Sequence, residues 1–153
     1  MAGGGTKLVS DNRKARFQYE LLDKYEAGLM LQGTEVKSLR DGKLSLSEAY
    51  CKIDGLGEVY LIDAHIAPYG HGNRTNHDPL RPRKLLLHKQ EITRLIGKVR
   101  EKGLTLVPTK VYFKGGKAKI EIALAKGKKI HDKRESIKKR DQERDTRREM
   151  RDR

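Results

Sequence analysis

HKQEITRLIGKVREKGLTLVPTKVYFKGGKAKIEIAL, residues 88–124, decides the fold. Ile92, Leu95, Ile96 and Val99 fall at i, i+3, i+4 and i+7, one apolar stripe of a helix running from His88 to Lys102. Gly103 stops it. Leu104 to Lys114 then leads into Gly115-Gly116, a two-glycine connection suited to positive φ. On the return, Ala118, Ile120, Ile122 and Leu124 alternate with Lys117, Lys119 and Glu121, the period of a half-buried strand. Pro108 has no N–H for a ladder, so it belongs at an edge or a bulge.

Upstream, a second hairpin is encoded. Ala49, Cys51 and Ile53 alternate, Asp54-Gly55-Leu56-Gly57 turns, and Val59 to Ile66 returns. Before it, Phe17, Tyr19 and Leu21, then Tyr25, Ala27, Leu29 and Leu31, describe one long strand, bent so as to serve two parts of a barrel. Thr34, after Gly33, opens a short helix carrying Val36 and Leu39 and closed by Gly42. The order is long strand, hairpin, helix, hairpin. Five strands with a helix between the third and fourth is the pattern of an OB-fold barrel. The expected fold is therefore mainly β, an OB-like antiparallel barrel with flanking helices; a two-layer α+β sandwich is the alternative. Residues 67–84 form a long polar loop, and loops of that length tend to be functional or disordered.

The ends differ from this middle. Residues 1–11 read as a flexible leader. Residues 12–126 form the barrel. Residues 127–153 hold 12 Lys/Arg against 7 Asp/Glu, no Phe, Tyr or Trp, and only Ile130, Ile137 and Met150 as large apolar residues, too little for a core. Glu135 and Lys139, Glu143 and Arg147, and Glu149 and Arg153 stand four apart in the favourable order, each pair adding about 0.2–0.5 kcal/mol of helix. The tail is expected to be disordered or frayed alone and helical along a partner.

The chain of 153 residues carries a formal charge of +14. Residues 1–126 contribute 23 Lys/Arg against 14 Asp/Glu. Such an excess points to a polyanion, and nucleic acid is the usual one because each neutralised phosphate releases a counterion. An anionic membrane is the weaker reading, with no apolar stretch long enough to span and no basic helix bearing a bulky apolar face. Met1 to Gly5 has no apolar core of the secretory kind, and the single Cys51 has no partner for a disulfide. A reducing, cytoplasmic setting is expected, with Cys51 a small packing residue.

Five groups of residues are the candidate RNA contacts, each with a blander alternative. Asn12, Arg13, Lys14 and Arg16 precede the first strand, where Arg and Lys suit phosphate and Asn suits a base or ribose edge; a solubilising flank explains them equally. Lys37 and Arg40 stand three apart on the short helix, which alone reads as an ordinary solvated face. Glu26 is an acid in a basic protein, able to accept from a base edge or to form a surface ion pair. Pro79 and Pro82 stiffen the end of the long loop, presenting Arg81, Arg83 and Lys84. At least one of Leu85, Leu86 and Leu87 is left to pack on an unstacked base, unless all three are core. In the tail, Lys128, Lys129, His131, Asp132, Lys133 and Arg134 join barrel to helix. Asp132 can cap and His131 can stack, or the segment is a solvated linker.

Nothing in the pattern asks for an enzyme. His65, His71, His77, His88 and His131 include no i, i+4 pair and no companion cysteines, so no zinc spacing exists. No P-loop occurs. No cofactor or metal is expected.

Taken together, NRKAR from Asn12, EAG from Glu26 followed by GTEVKSLR from Gly33, Asn76-His77 with Pro79, Arg81 and then RKLLLH from Arg83, and GKK and HDKR around Ile130 resemble the SsrA-binding protein family, also called small protein B. Each string is modest; four in order and spacing are specific. The resemblance implies an OB-like barrel that binds the tRNA-like domain of tmRNA. With elongation factor Tu and GTP, that pair enters ribosomes stalled without a downstream codon. It implies a tail that occupies the empty mRNA channel near the decoding centre of the small subunit. It also implies that Asn12, Glu26 and Leu86 match positions associated with tmRNA binding, and His131 to Arg134 the segment at the decoding region. Arg13, Lys14, Arg16, Lys37, Arg40, Arg83 and Lys84 are added from charge and position. A monomer is expected. The rival is a general ribosome-associated OB protein or RNA chaperone without a dedicated RNA.

Overall fold

The computed structural model describes residues 6–70 and 76–127. Among these described residues, nine strands and three helices follow in chain order: β1 (Thr6–Asp11), α1 (Arg13–Gln18), β2 (Tyr19–Leu29), α2 (Gly33–Arg40), β3 (Leu44–Ser45), β4 (Tyr50–Ile53), β5 (Val59–Ile62), β6 (His65–Ile66), β7 (Arg83–Leu86), α3 (Lys89–Lys102), β8 (Thr105–Lys114) and β9 (Lys117–Gly127). Seven strands run antiparallel in the order β1-β8-β4-β5-β7-β2-β9, and β8 also pairs with β9, closing the sheet on itself. Closure leaves few free edges, which suits a small all-β core.

The expected hairpins are present. Gly115 and Gly116 both take positive φ between β8 and β9. Tyr50 to Ile53 pairs with Val59 to Ile62. The β8–β9 register slips between Pro108 and Lys110, so the proline does sit at a bulge. Gly103 ends α3 in the left-handed region. Inside the barrel Val59, Leu61, Ile66, Leu95, Val111, Ile120 and Ile122 are wholly buried. Each such side chain stabilises by about 1.5–3 kcal/mol.

Several placements differ from expectation. The return strand expected over Val59 to Ile66 breaks at Asp63, which takes positive φ, so that His65–Ile66 becomes β6 and pairs with β3 in a second, two-stranded sheet. Thr6–Asp11, read as flexible leader, is a strand, because Thr6 to Asp11 registers along Lys114 to Lys110 of β8 and Val9 packs on the core. Arg13–Gln18, read as flank and strand start, is a helix. Asn12 caps it by accepting from the Ala15 N–H, and Ala15 packs on Val107 and Ala125. Across the end of the long loop, Arg83–Leu86 forms β7, which joins β5 to β2. Thr34 does not cap α2. Gln32 does, while the Thr34 hydroxyl meets His77 Nδ1 at 2.8 Å.

Candidate nucleic-acid interface

Alternation on β8 and β9 sends Val111, Phe113, Ile120 and Ile122 inward. Lys110, Tyr112, Lys114, Lys117, Lys119 and Glu121 are left for the outer face. The registers align that face across five strands. Leu86 stands beside Gly28, Gly28 beside Lys119, Lys119 beside Tyr112 and Tyr112 beside Leu8. Two residues further along, on the same face, Glu26 faces Glu121 and Glu121 faces Lys110. At the hairpin tip Lys114 faces Lys117.

Two clefts open on this surface. One, of about 470 Å³, is lined by Leu8, Asp11, Arg16, Glu26, Lys110 and Tyr112 among others. The second, of about 390 Å³, is lined by Gly28, Val36, Leu86, Phe113, Lys117 and Lys119 among others. Gly28 lets the strands approach here: a Cβ on it would stand 3.3 Å from Leu86 Cβ. Leu86 remains 52% exposed, a large apolar side chain held at the rim of a basic surface. A nucleobase face fits that combination, with phosphate met by the lysines.

Glu26 is the acid in the middle. Its Oε2 accepts from the Tyr112 hydroxyl and, at 3.5 Å, from Lys114 Nζ. The Tyr112 hydrogen bond chiefly holds the Glu26 carboxyl below its usual range, aided by Lys114 and Lys119 and opposed by partial desolvation. Glu26 is therefore a carboxylate at neutral pH, an acceptor only.

The other sequence-derived candidates are placed as follows. Arg16 lines the first cleft and pairs with Asp11. Arg13 is exposed on α1. Lys14 pairs with Glu48 at 2.7 Å and lines a separate cleft between α1 and β4. Asn12 is 5% exposed: its Nδ2 donates to the Pro108 carbonyl at 2.8 Å and its Oδ1 caps α1. Its side chain anchors α1 to the β8 bulge. Lys37 lies 5.4 Å from the Tyr69 ring centre and Arg40 lies 5.0 Å from that of Phe113, so α2 borders the second cleft. Lys84 pairs with Glu58 at 3.1 Å beside Leu86.

Arg83 is a correction. It is 0% exposed and no RNA contact is open to it. Its Nε donates to Glu35 Oε2 at 2.5 Å, and its guanidinium also donates to the carbonyls of Ala64, Pro79 and Asp78. Arg81 reaches the other Glu35 oxygen at 2.6 Å, and the Gln32 N–H donates to that oxygen at 2.8 Å. His77 adds a second tie, with Nε2 2.9 Å from the Ile66 carbonyl. The charged loop motif thus fastens the loop end to α2, while Lys84 and Leu86 of β7 reach the outer face, part-exposed and exposed respectively. Burial alone would raise the Glu35 carboxyl, yet the hydrogen bonds from Arg81, Gln32 and Arg83 hold it below the ordinary range.

The sequence reading did not single out Lys110, Lys114, Lys117 and Lys119, which alternation and register place on this outer face. The signal was present in the lysines alternating with Ala118 and Ile120, where the apolar half of the pattern defines a core and the other half must share one outer face. Lys128, Lys129, His131, Asp132, Lys133 and Arg134 lie outside the described residues. Among the described residues no group of three or more His, Cys, Asp or Glu could hold a metal ion, and no helix is long and apolar enough to cross a membrane.

A lysine-rich barrel face that carries Glu26, Glu121 and the exposed leucines Leu8 and Leu86 is what the family comparison bears on. The SmpB protein family model matches residues 9–152. The chain belongs to the SmpB family. The SsrA-binding protein of Carboxydothermus hydrogenoformans is 58% identical over 145 residues, covering 95% of this chain and 97% of that protein. That of Gloeothece citriformis is 57% identical over 148 residues, covering 96% and 95%. Among solved structures, a chain described as "tmRNA-SmpB: a journey to the center of the bacterial ribosome" matches with TM-score 0.67 and 51% identity, over 84% of this chain and 93% of that one. For this SmpB-family chain the likeness covers the barrel and extends through most of the tail sequence.

Proposed function

We propose that this chain binds the tRNA-like domain of tmRNA through the outer face of β1, β8, β9, β2 and β7, and carries it to stalled ribosomes for trans-translation. The observation that carries the proposal is the row Leu86–Gly28–Lys119–Tyr112–Leu8 with Glu26 beside it, in a chain whose relatives are SsrA-binding proteins. Lysines supply phosphate contacts, and Glu26 and Leu86 supply a base-edge acceptor and an apolar platform. Arg16, Arg40 and Lys84 extend the positive rim, and Arg13, Lys14 and Lys37 lie further out. Asn12 acts by fixing α1. A fluorescence-anisotropy competition between tmRNA and an unrelated structured RNA of equal length tests the reading. It predicts strong preference for tmRNA, and equal competition contradicts it.

The tail has a separate task in this proposal: Lys128, Lys129, His131, Asp132, Lys133 and Arg134 engage the vacant mRNA channel of the small subunit. The barrel geometry supports the division. Lys117 pairs with Lys114 at one end of β9, while Gly127 pairs with Tyr19 at the other. Ten residues of strand rise separate them by roughly 33 Å, so the chain leaves the barrel far from the lysine-rich tip. Delivery with elongation factor Tu and GTP, a cytoplasmic setting, a monomeric state and the lack of any catalytic step belong to the same reading. Ending the chain at Lys126 is expected to leave tmRNA affinity at moderate salt largely intact and to abolish rescue of stalled ribosomes in a reconstituted translation assay. Loss of tmRNA binding in the truncated protein contradicts the division.

A further inference from the structure

We propose that Tyr112 is a positioning residue for RNA recognition: its hydroxyl, with Lys114, holds one oxygen of Glu26 so that the other is aimed at a donor on an unpaired base. The inference rests on the functional reading above and assigns a role that charge and exposure do not.

Tyr112 differs from the other outward residues of β8. It is 7% exposed although it lies on the outer face, covered beside Leu8 and under Lys110, whose Nζ is 5.8 Å from the ring centre. A tyrosine so placed offers little surface for stacking. What it offers is its hydroxyl, which donates to Glu26 Oε2. Lys114 converges on that same oxygen at 3.5 Å. Oε1 of Glu26 is not used by either bond, and the Glu26 side chain is 40% exposed.

The cross-strand neighbour makes the placement more telling. Glu26 faces Glu121 directly in the β2–β9 register, and like charges directly opposite destabilise a sheet pair. Each carboxylate is separately managed. Thr109 Oγ1 donates to Glu121, and Lys110 stands opposite it in β8, while Tyr112 and Lys114 serve Glu26. Two acids side by side serve no evident purpose for stability. A carboxylate locked in one rotamer, with one lone-pair face open among phosphate-binding lysines, suits an exocyclic amino or imino group of a splayed base. Locking it beforehand removes the rotamer entropy that a free glutamate loses on binding.

The test is a double-mutant cycle of Tyr112→Phe and Glu26→Ala in the full chain, read by anisotropy with tmRNA and with a control structured RNA. Tyr112→Phe keeps the ring and its cover and loses one hydrogen bond to a carboxylate, so the fold is expected to survive with the melting temperature lowered by only a few degrees, as measured by differential scanning calorimetry. In the wild-type background tmRNA affinity is expected to fall about 5–10-fold, with control-RNA affinity unchanged. In the Glu26→Ala background Tyr112→Phe should have no further effect, because its role runs through Glu26. Equal loss in both backgrounds overturns the inference, since Tyr112 then acts by itself. So does an unaltered affinity in Glu26→Ala. A wild-type protein that does not distinguish tmRNA from the control overturns the functional reading, and the inference with it.

Discussion

Glu35→Gln is expected to destabilise the fold by about 3–5 kcal/mol, the range found when one partner of a buried ion pair is removed. Glu35 and Arg83 are both 0% exposed, and Glu35 accepts from Arg83, Arg81 and the Gln32 N–H. Gln keeps the shape and loses the charge, leaving the Arg83 guanidinium buried without its counter-charge. The melting temperature should drop by on the order of 10 °C in calorimetry. Glu48→Gln provides the contrast. Its pair with Lys14 is exposed, with the two side chains 76% and 42% open, and the change should cost less than about 1 kcal/mol. Equal effects from the two substitutions would show that the buried network is not what closes the loop onto α2.

The same network has a pH signature. The folded Glu35 carboxyl lies below its ordinary value of 4.5, so its contribution is complete above that pH. It is lost as pH falls through the lower native value. Acid titration followed by circular dichroism should show wild-type stability declining below about pH 4.5, with a shallower decline in Glu35→Gln. Identical acid dependence of the two proteins would contradict the assignment.

The second large effect concerns the hairpin. Lys114→Gln, Lys117→Gln and Lys119→Gln together should lower tmRNA affinity about 100-fold at 0.1 M salt. They should also reduce the slope of log K against log salt by about 2–3, at 0.7–0.9 per phosphate released from counterions. The three side chains share one outer face and are 53% exposed at Lys114, so the fold should survive. The double variant Lys43→Gln, Lys52→Gln removes exposed lysines elsewhere on the surface and should leave the slope near wild type. If both sets of changes alter the slope equally per lysine, binding is spread over the surface rather than focused on β8 and β9.

The barrel was readable because its hairpins and α3 carry their own periodicity and punctuation. Ile120 and Ile122 declare a strand, Gly115-Gly116 a turn and Gly103 a helix stop. What was not readable depends on contacts distant in sequence. Leu8 and Val9 are too few to signal a strand, and only the waiting edge of β8 makes Thr6–Asp11 one. Arg83 looks like any basic loop residue until Glu35, 48 positions away, takes it into the core. Local signals for α1 did exist, in Asn12 followed by Arg, Lys and Ala, good helix formers after a capping residue. The alternation from Phe17 onward masked them. For the candidate site, Glu26 and Leu86 came from family strings, and the barrel registers bring them to one face; charge alone suggested Arg83 and overlooked the four hairpin lysines.

The central claim is that one RNA is the partner. Sequencing the RNA that co-purifies with the full chain from its own cells tests it most directly. The account predicts that tmRNA dominates the recovered RNA, and that it falls to background when Lys114, Lys117 and Lys119 are replaced. A broad mixture of cellular RNAs without tmRNA enrichment would contradict it and favour a general RNA-binding role.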